Sequence, residues 1–101
     1  MEIKLSKNGS TGNIHLSGRF DTGTHHRFKE AFTPYLRDPS VELIDIYLTD
    51  VSYIDSAALG MLLLLREHAS NLKKTVGLRA PNENVQKILD IANFQKLFTI
   101  S

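Results

Sequence analysis

The chain has 101 residues, of which 42% are hydrophobic and 23% charged, and its net charge at pH 7 is +1. This length allows one hydrophobic core, so we expect a single domain over residues 1–101. Because acidic and basic residues balance and no Lys/Arg cluster stands out, the composition does not favour direct nucleic-acid binding. Cysteine is absent, which excludes disulfides and thiolate metal sites.

No segment of the sequence has the hydropathy of a signal peptide or of a membrane-spanning helix. Residues 1–10, MEIKLSKNGS, lack the continuous apolar stretch of a signal peptide. The longest apolar run covers residues 61–65, far short of the about 20 residues that a membrane-spanning helix needs. We therefore expect no membrane insertion and a cytoplasmic location.

The first half of the sequence predicts a hairpin. Ile3 and Leu5 alternate with polar residues, and residues 8–13 supply turn chemistry before a second strand. One face of that second strand holds Ile14, Leu16, Gly18 and Phe20. The two strands are expected to pair antiparallel.

A helix is predicted next, because apolar residues recur at helical spacing. They are Phe28, Ala31, Phe32, Tyr35 and Leu36. Asp21, Thr22 or Thr24 could cap its start. Pro34 interrupts the stripe and removes one backbone hydrogen bond, so we expect a kink or an early end there.

The middle of the sequence predicts a buried strand, a short loop and a second helix. Residues 41–48 are apolar enough for a strand buried on both faces. Residues 50–55 are predicted as the loop, and Ser56 as the start of a helix that runs to about residue 72.

The last third predicts a strand at residues 75–79, a third helix capped by Asn82 and ended near Asn93, and a short edge strand at residues 97–100. Strands that alternate with helices indicate an α/β fold. We expect a mixed, mostly parallel sheet of four to five strands with an N-terminal hairpin and about three helices.

The residues of the second helix follow one another at intervals of about 100° around its axis, and we set the position of Ser56 to zero. One broad arc is predicted to face the core: Ala57, Ala58, Met61, Leu62, Leu64, Leu65, Ala69 and Leu72. Leu59 and Leu63 fall instead in the polar arc, beside Ser56 and Gly60. Either another element covers these two leucines, or Leu59, Gly60 and Leu63 form an interface patch; the serine beside them favours the patch.

Residues 50–60, DVSYIDSAALG, resemble the signature of STAS domains, specifically bacterial anti-sigma factor antagonists. Residues 17–21, SGRFD, resemble the family's G-x-[LF]-D segment. Residues 82–100 resemble its closing helix and strand. The resemblance covers nearly the whole chain and implies a STAS-like single domain.

The resemblance also implies a function. Antagonists of this family bind an anti-sigma factor that is also a serine kinase, phosphorylation breaks the complex, and a serine phosphatase restores the antagonist. By motif match the phosphorylated residue is Ser56, and the resemblance implies roles near it for Asp21, Asp50 and Asp55. The expected partners are therefore the kinase and the phosphatase.

Two departures from the family pattern matter. Ala57 and Ala58 replace the Ser-Gly pair that often follows the phosphorylated serine, which removes a second hydroxyl but keeps small side chains. The sequence ends at Ser101, where many members continue into a terminal helix. The edge that such a helix would cover is then open, so we expect either weak homodimerisation or a different partner contact there.

No feature indicates an enzyme. The sequence lacks a Gly-x-Ser-x-Gly elbow, a Walker loop and a dinucleotide fingerprint, so neither catalytic residues nor a cofactor are expected. His25 and His26 are adjacent and cannot share a helix face as metal ligands, and no metal site is predicted. The alternative to a switch is a STAS accessory or scaffold subunit, for example of a lipid-transport ABC complex or a stress-sensing assembly, in which Ser56 serves only as a helix cap or a contact.

Overall fold

A computed structural model describes all of residues 1–101 and has an α/β fold with five strands and three α-helices. In chain order these are β1 (Glu2–Asn8), β2 (Thr11–Phe20), α1 (His25–Arg37), β3 (Leu43–Ile54), α2 (Ser56–Asn71), β4 (Thr75–Arg79), α3 (Glu83–Ile91) and β5 (Thr99–Ile100). Single 3₁₀ turns precede α1 (Thr22–Thr24) and β5 (Phe94–Lys96). None of the three α-helices has the length and hydrophobicity of a membrane-spanning segment.

The strands lie in the sheet in the same order as in the chain, β1-β2-β3-β4-β5. β1 and β2 form the predicted antiparallel hairpin, and all other neighbours are parallel. Each parallel connection contains one α-helix and moves to the next strand in the same direction. Because such crossovers are right-handed, all three helices lie on one face of the sheet.

The core lies between that face and the helices. Alternate residues of β2 and β3 point into it and are buried: Ile14, Leu16, Phe20, Ile44, Ile46 and Leu48. Phe28 of α1 contacts Phe20 and Phe32, with ring centroids 4.9 Å and 5.2 Å apart. The predicted apolar stripe of α1 is confirmed, but the early end is not, since the helix continues past Pro34 to Arg37.

The other face of the sheet is polar, so β3 is not covered by helices on both faces as its sequence predicted. His15 and Tyr47 stack there with ring centroids 4.3 Å apart. Asp45 is nevertheless buried, because Arg79 covers it and places Nε 3.0 Å from Oδ1 of the carboxylate. Gly77 is opposite Asp45 in the register, and a Cβ there would lie 2.6 Å from the same oxygen.

β3 is longer than predicted, because the segment at residues 50–55 is strand as far as Ile54. It pairs with the end of β2, Ser17 opposite Asp50 and Phe20 opposite Ile54. Two irregularities in this pairing each add one residue to β3. Such bulges interrupt the alternation that identifies a strand in sequence, which explains why the sequence pattern indicates a loop here.

Asn82 supports the irregular part of β3 as well as capping α3. Its side-chain oxygen accepts a hydrogen bond from the N–H of Val85 at 3.0 Å, as predicted for a cap. Its amide nitrogen donates to the carbonyl oxygens of Thr49 at 3.1 Å and Val51 at 2.7 Å. These carbonyls lie beyond the last β3–β4 pair, Tyr47 with Arg79, so Asn82 replaces the missing strand partner.

We predict that Gly77→Ala lowers the free energy of unfolding by about 1–3 kcal/mol, because the new methyl group would displace the buried Asp45 carboxylate. Urea denaturation measures the change. Gly60→Ala is the control: a Cβ at that exposed helical position contacts nothing within 4 Å, so stability should rise by about 0.5–1 kcal/mol. A Gly77→Ala protein as stable as the wild type would contradict the prediction.

Candidate partner-binding site around Ser56

Asp55 caps the N-terminus of α2. Its backbone is extended, and its Oδ1 accepts a hydrogen bond from the N–H of Ala58 at 2.8 Å. Its own N–H donates to the carbonyl of Phe20 at 3.3 Å, which holds the cap against the end of β2. Ser56 is therefore the first helical residue, and the interpretation of Ser56 as the cap is wrong.

The second carboxylate oxygen of Asp55 binds a distant part of the chain. Oδ2 accepts hydrogen bonds from the backbone N–H of Thr22 at 3.3 Å and from its hydroxyl at 3.4 Å. The Asp55 carboxylate thus joins the turn after β2 to the start of α2. The bond from Ala58, and after it those from Thr22, hold the pKa of Asp55 below its usual value although desolvation opposes this.

Ser56 is exposed, and its hydroxyl makes no hydrogen bond within the protein. Asp55 already binds the helical N–H that a capping serine would use, so the Ser56 hydroxyl is left free. It stands at the positive end of the α2 dipole, where a negative group is favoured. An accessible, unbonded hydroxyl in this position is suited to accept a phosphoryl group from another protein.

The core face of α2 is rotated from the predicted one. Its buried residues are Ala58, Leu62, Leu65 and Ala69. At about 100° per residue their centre lies about 210° from Ser56, roughly 50° from the centre of the predicted arc. The residues at the other border of that arc are consequently exposed, contrary to the prediction: Ala57, Leu64 and Leu72.

The rotation also changes the predicted patch. Gly60 is exposed with nothing near it, and Leu63 is 38% exposed, so both lie on the outer face beside Ser56. Leu59 is different: it is half-buried and packs against the core. Leu64 lies as far from the core centre as Leu63 does, about 130° on the opposite side, and is 37% exposed. We call Ser56, Gly60 and Leu63 the α2 patch.

The three predicted acidic residues are not all brought together. Asp21 caps the 3₁₀ turn by accepting from the N–H of Gly23 at 3.0 Å, and Arg19 Nε lies 3.3 Å from its other oxygen. It precedes Thr22, so it lies near Asp55. Asp50 is five residues before Asp55 on an extended strand, about 15 Å away. It lies on the polar face of the sheet, beside His15 and Tyr47.

One site residue was missed by the sequence reasoning. The sequence indicates Thr22 only as a cap for α1, whereas its N–H and hydroxyl both donate hydrogen bonds to Asp55. The two residues are 33 positions apart, so no local spacing signals their contact. Only the pairing of the ends of β2 and β3 brings them together.

Comparison with known proteins decides the family. A family model described as "Mlab, STAS domain" matches residues 3–99. The chain belongs to the STAS domain family. A STAS-domain containing protein of Pseudomonas aeruginosa strain UCBPP-PA14 is 42% identical over 96 residues, which cover 95% of this chain and 93% of the relative.

Solved STAS structures share this fold. The unphosphorylated form of SpoIIAA, an anti-sigma factor antagonist, has a TM-score of 0.83 at 17% identity, covering 99% of this chain and 88% of SpoIIAA. The phosphorylated form of this Bacillus cell fate determinant has a TM-score of 0.76 at 16% identity, covering 99% and 91%. These similarities confirm the STAS-like α/β fold.

The hydrogen bonds of Asp55 predict a pH-dependent contribution to stability. A carboxyl whose pKa is lowered by folding stabilises the STAS domain above its unfolded pKa, near 3.8, and the contribution is lost as the pH falls through the lower folded pKa. We expect Asp55→Asn to be less stable than the wild type at neutral pH, because an amide nitrogen facing Thr22 cannot accept its hydrogen bonds. The difference in the free energy of unfolding between the variant and the wild type, here called the gap, should narrow as the pH falls from about 5 to about 2.

Urea denaturation over this pH range measures the gap. Asp50→Asn is the control, since it removes an exposed carboxylate that makes no hydrogen bond in the protein. A gap between Asp55→Asn and the wild type that stays constant down to the lowest pH would contradict the assigned role of the carboxylate.

Proposed function

We propose that this STAS protein is an anti-sigma factor antagonist that works by partner switching. In its unphosphorylated form it binds an anti-sigma factor that is also a serine kinase. Phosphorylation of Ser56 by that kinase releases the complex, and a serine phosphatase restores the binding form. The protein itself is a binding module without catalytic residues, and it acts in the cytoplasm on protein partners.

The observation that supports this proposal most is the state of Ser56. Its hydroxyl is exposed and unbonded, at a position that Asp55 defines through bonds to two separate segments. A kinase can therefore reach the hydroxyl without unfolding any element of the STAS domain. The exposed Gly60 and Leu63 beside it offer a partner a bare backbone surface and an apolar side chain.

Charge explains why a phosphate would release the partner while the domain stays folded. A phosphoserine adds about −1.5 to −2 charges at pH 7. The helix N-terminus favours negative charge by about 0.3–1 kcal/mol, and on this exposed residue the phosphate stays in water, so folding is little affected. In the complex the same phosphate would be buried between Leu63 and the surface of the anti-sigma factor. It would also lie next to the Asp55 carboxylate. Burial of a charge without a partner charge costs several kcal/mol, so the complex dissociates.

A STAS accessory or scaffold subunit, for example of a lipid-transport ABC complex, is the second candidate, because the matching family model is described as a STAS domain and not as an anti-sigma factor antagonist. In that case the α2 patch would contact a transporter ATPase permanently, and Ser56 would not be modified. Stable co-purification with an ATPase, together with no mass change after incubation with kinases and ATP, would support this candidate instead of the switch.

We predict that Ser56→Asp weakens binding to the anti-sigma factor about a hundredfold to a thousandfold, equivalent to about 3–4 kcal/mol, and that Ser56→Ala binds like the wild type. Calorimetric titration of each variant with the partner measures the affinities. Intact-mass analysis after incubation with the kinase and ATP should show one phosphate on the wild type and none on Ser56→Ala.

Ser70→Asp is the matched control for added charge, because Ser70 is an exposed serine of the same helix about 21 Å from Ser56. It should bind the partner like the wild type. Equal affinities for Ser56→Asp, Ser56→Ala and the phosphorylated protein would overturn the switch proposal.

Leu63 and Leu64 provide a test of the α2 patch. They are equally exposed but point to opposite flanks of the helix, so replacing either with lysine should leave stability within about 0.5 kcal/mol of the wild type. We expect Leu63→Lys to weaken partner binding at least tenfold and Leu64→Lys to have a smaller effect. Binding assays with both variants, after circular dichroism has confirmed folding, measure the difference. Full affinity in Leu63→Lys would exclude this residue from the interface.

A further inference from the structure

We propose that β1 is a self-association surface. Through it, the β1 strands of two copies of this chain pair antiparallel and join the two sheets into a single ten-stranded sheet. The occupant of the β1 edge is thus a second copy of the same chain. This inference is independent of the partner-switching function, since β1 contains no residue of the α2 patch and the pairing needs no other protein.

The geometry of the two sheet edges points to β1. β5, at one edge, has only two residues, whereas β1 has seven and is paired with β2 on one side only. The outer side of β1 therefore presents a row of backbone N–H and C=O groups without strand partners. Such a row is a template for another strand unless the protein blocks it.

The apolar side chains at this edge are only partly covered by the protein's own core. Ile3 and Leu5 are opposite Leu16 and Ile14 in the register, so they lie on the helix-covered face. Leu5 is nevertheless 49% exposed, and Ile3 is only half-buried. Met1, one step earlier in the alternation, is also half-buried against the core. A second copy of β1 would extend this apolar row and cover Leu5.

The charges of β1 are complementary to those of a second copy in one register. A twofold axis perpendicular to the sheet keeps the helix-covered faces of both copies on the same side, so only residues of the same face pair directly. With the axis between the two copies of Ile3, each Glu2 lies opposite the second copy's Lys4, and each Met1 opposite the second copy's Leu5. Two opposite-charge pairs then flank an apolar pair, and each such cross-strand pair is stabilising.

The neighbouring registers are less favourable. Sliding the strands by two residues places Lys4 against the second copy's Lys4, which is a like-charge pair. A shift by a further two residues puts Ile3 opposite the second copy's Lys7. Lys7 already forms an ion pair with Asp38 of its own chain at 3.0 Å. Lysines on edge strands usually discourage pairing, but here each Lys4 lies opposite the second copy's Glu2, and this match selects one register.

A charge-swap experiment tests the proposal with the full chain. Glu2→Lys makes both charge pairs Lys–Lys, and Lys4→Glu makes both Glu–Glu, so each variant alone should self-associate at least tenfold more weakly than the wild type. The double variant Glu2→Lys/Lys4→Glu restores two opposite pairs and should dimerise again. A mixture of the two single variants should form a heterodimer, because each supplies the charges that the other needs. Sedimentation velocity at low salt, over a concentration series up to about 1 mM, measures each association.

Leu5→Thr is a second variant that keeps a residue suited to a strand. It should also weaken the dimer, whereas Leu72→Thr, a substitution of another exposed leucine away from β1, should not. A wild-type chain that stays monomeric to about 1 mM would overturn the proposal. Self-association that is equal in the wild type and both single charge variants, or a mixture that forms no heterodimer, would overturn it as well.

Discussion

The order of the strands in the sheet determines which surfaces of this protein are covered. Because β2, β3, β4 and β5 follow one another in space as in sequence, every right-handed crossover returns on the same side, and all helices lie on one face. That face holds the apolar core. The helix α2 connects the two middle parallel strands, and its outer side is left to solvent. The other face of the sheet must be polar, and β1 ends the sheet with an unpaired edge.

The position of Ser56 depends on this arrangement through Asp55. The end of β2 lies beside the end of β3, so the turn that follows β2 meets the residue that starts α2. One carboxylate oxygen of Asp55 accepts a hydrogen bond from the first turn of α2, and the other accepts hydrogen bonds from Thr22. Neither oxygen binds the Ser56 hydroxyl. The backbone of Ser56 is thereby held in place, while its hydroxyl makes no hydrogen bond within the protein. A group added to it changes the charge of the surface and leaves the supporting bonds in place.

The polar face of the sheet shows how the fold accommodates a buried charge. Asp45 lies on the middle strand, and burial of a carboxylate is tolerated because Arg79 provides a charge 3.0 Å away. Space for this pair comes from Gly77, whose missing side chain leaves room for the carboxylate. On the same face, His15 stacks on Tyr47 and Arg19 lies 4.1 Å from the ring centre of Tyr53. These contacts between neighbouring strands cover part of the sheet without a layer of helices.

Local sequence patterns were sufficient to predict several of the helices and strands. The alternation around Ile14 predicted the hairpin, the stripe from Phe28 to Tyr35 predicted α1, and the motif at residues 50–60 located the start of α2 and pointed to the family. Turn chemistry and caps, such as Asn82, located most boundaries. Each of these signals depends on residues within one or two turns of a helix or along one strand, which a single sequence displays directly.

Other features depend on contacts between segments that are distant in the chain, and these could be seen only in the folded protein. The rotation of α2, by roughly 50° from the sequence estimate, follows from the neighbours against which it packs, and it moved Leu59 towards the core and Leu64 to the surface. The length of β3 depends on bulged pairing with β2, which conceals its alternation. The bond between Thr22 and Asp55 joins residues with no local relation. Periodicity shows that a helix has a buried face, but only the packing of the surrounding elements determines which residues that face contains.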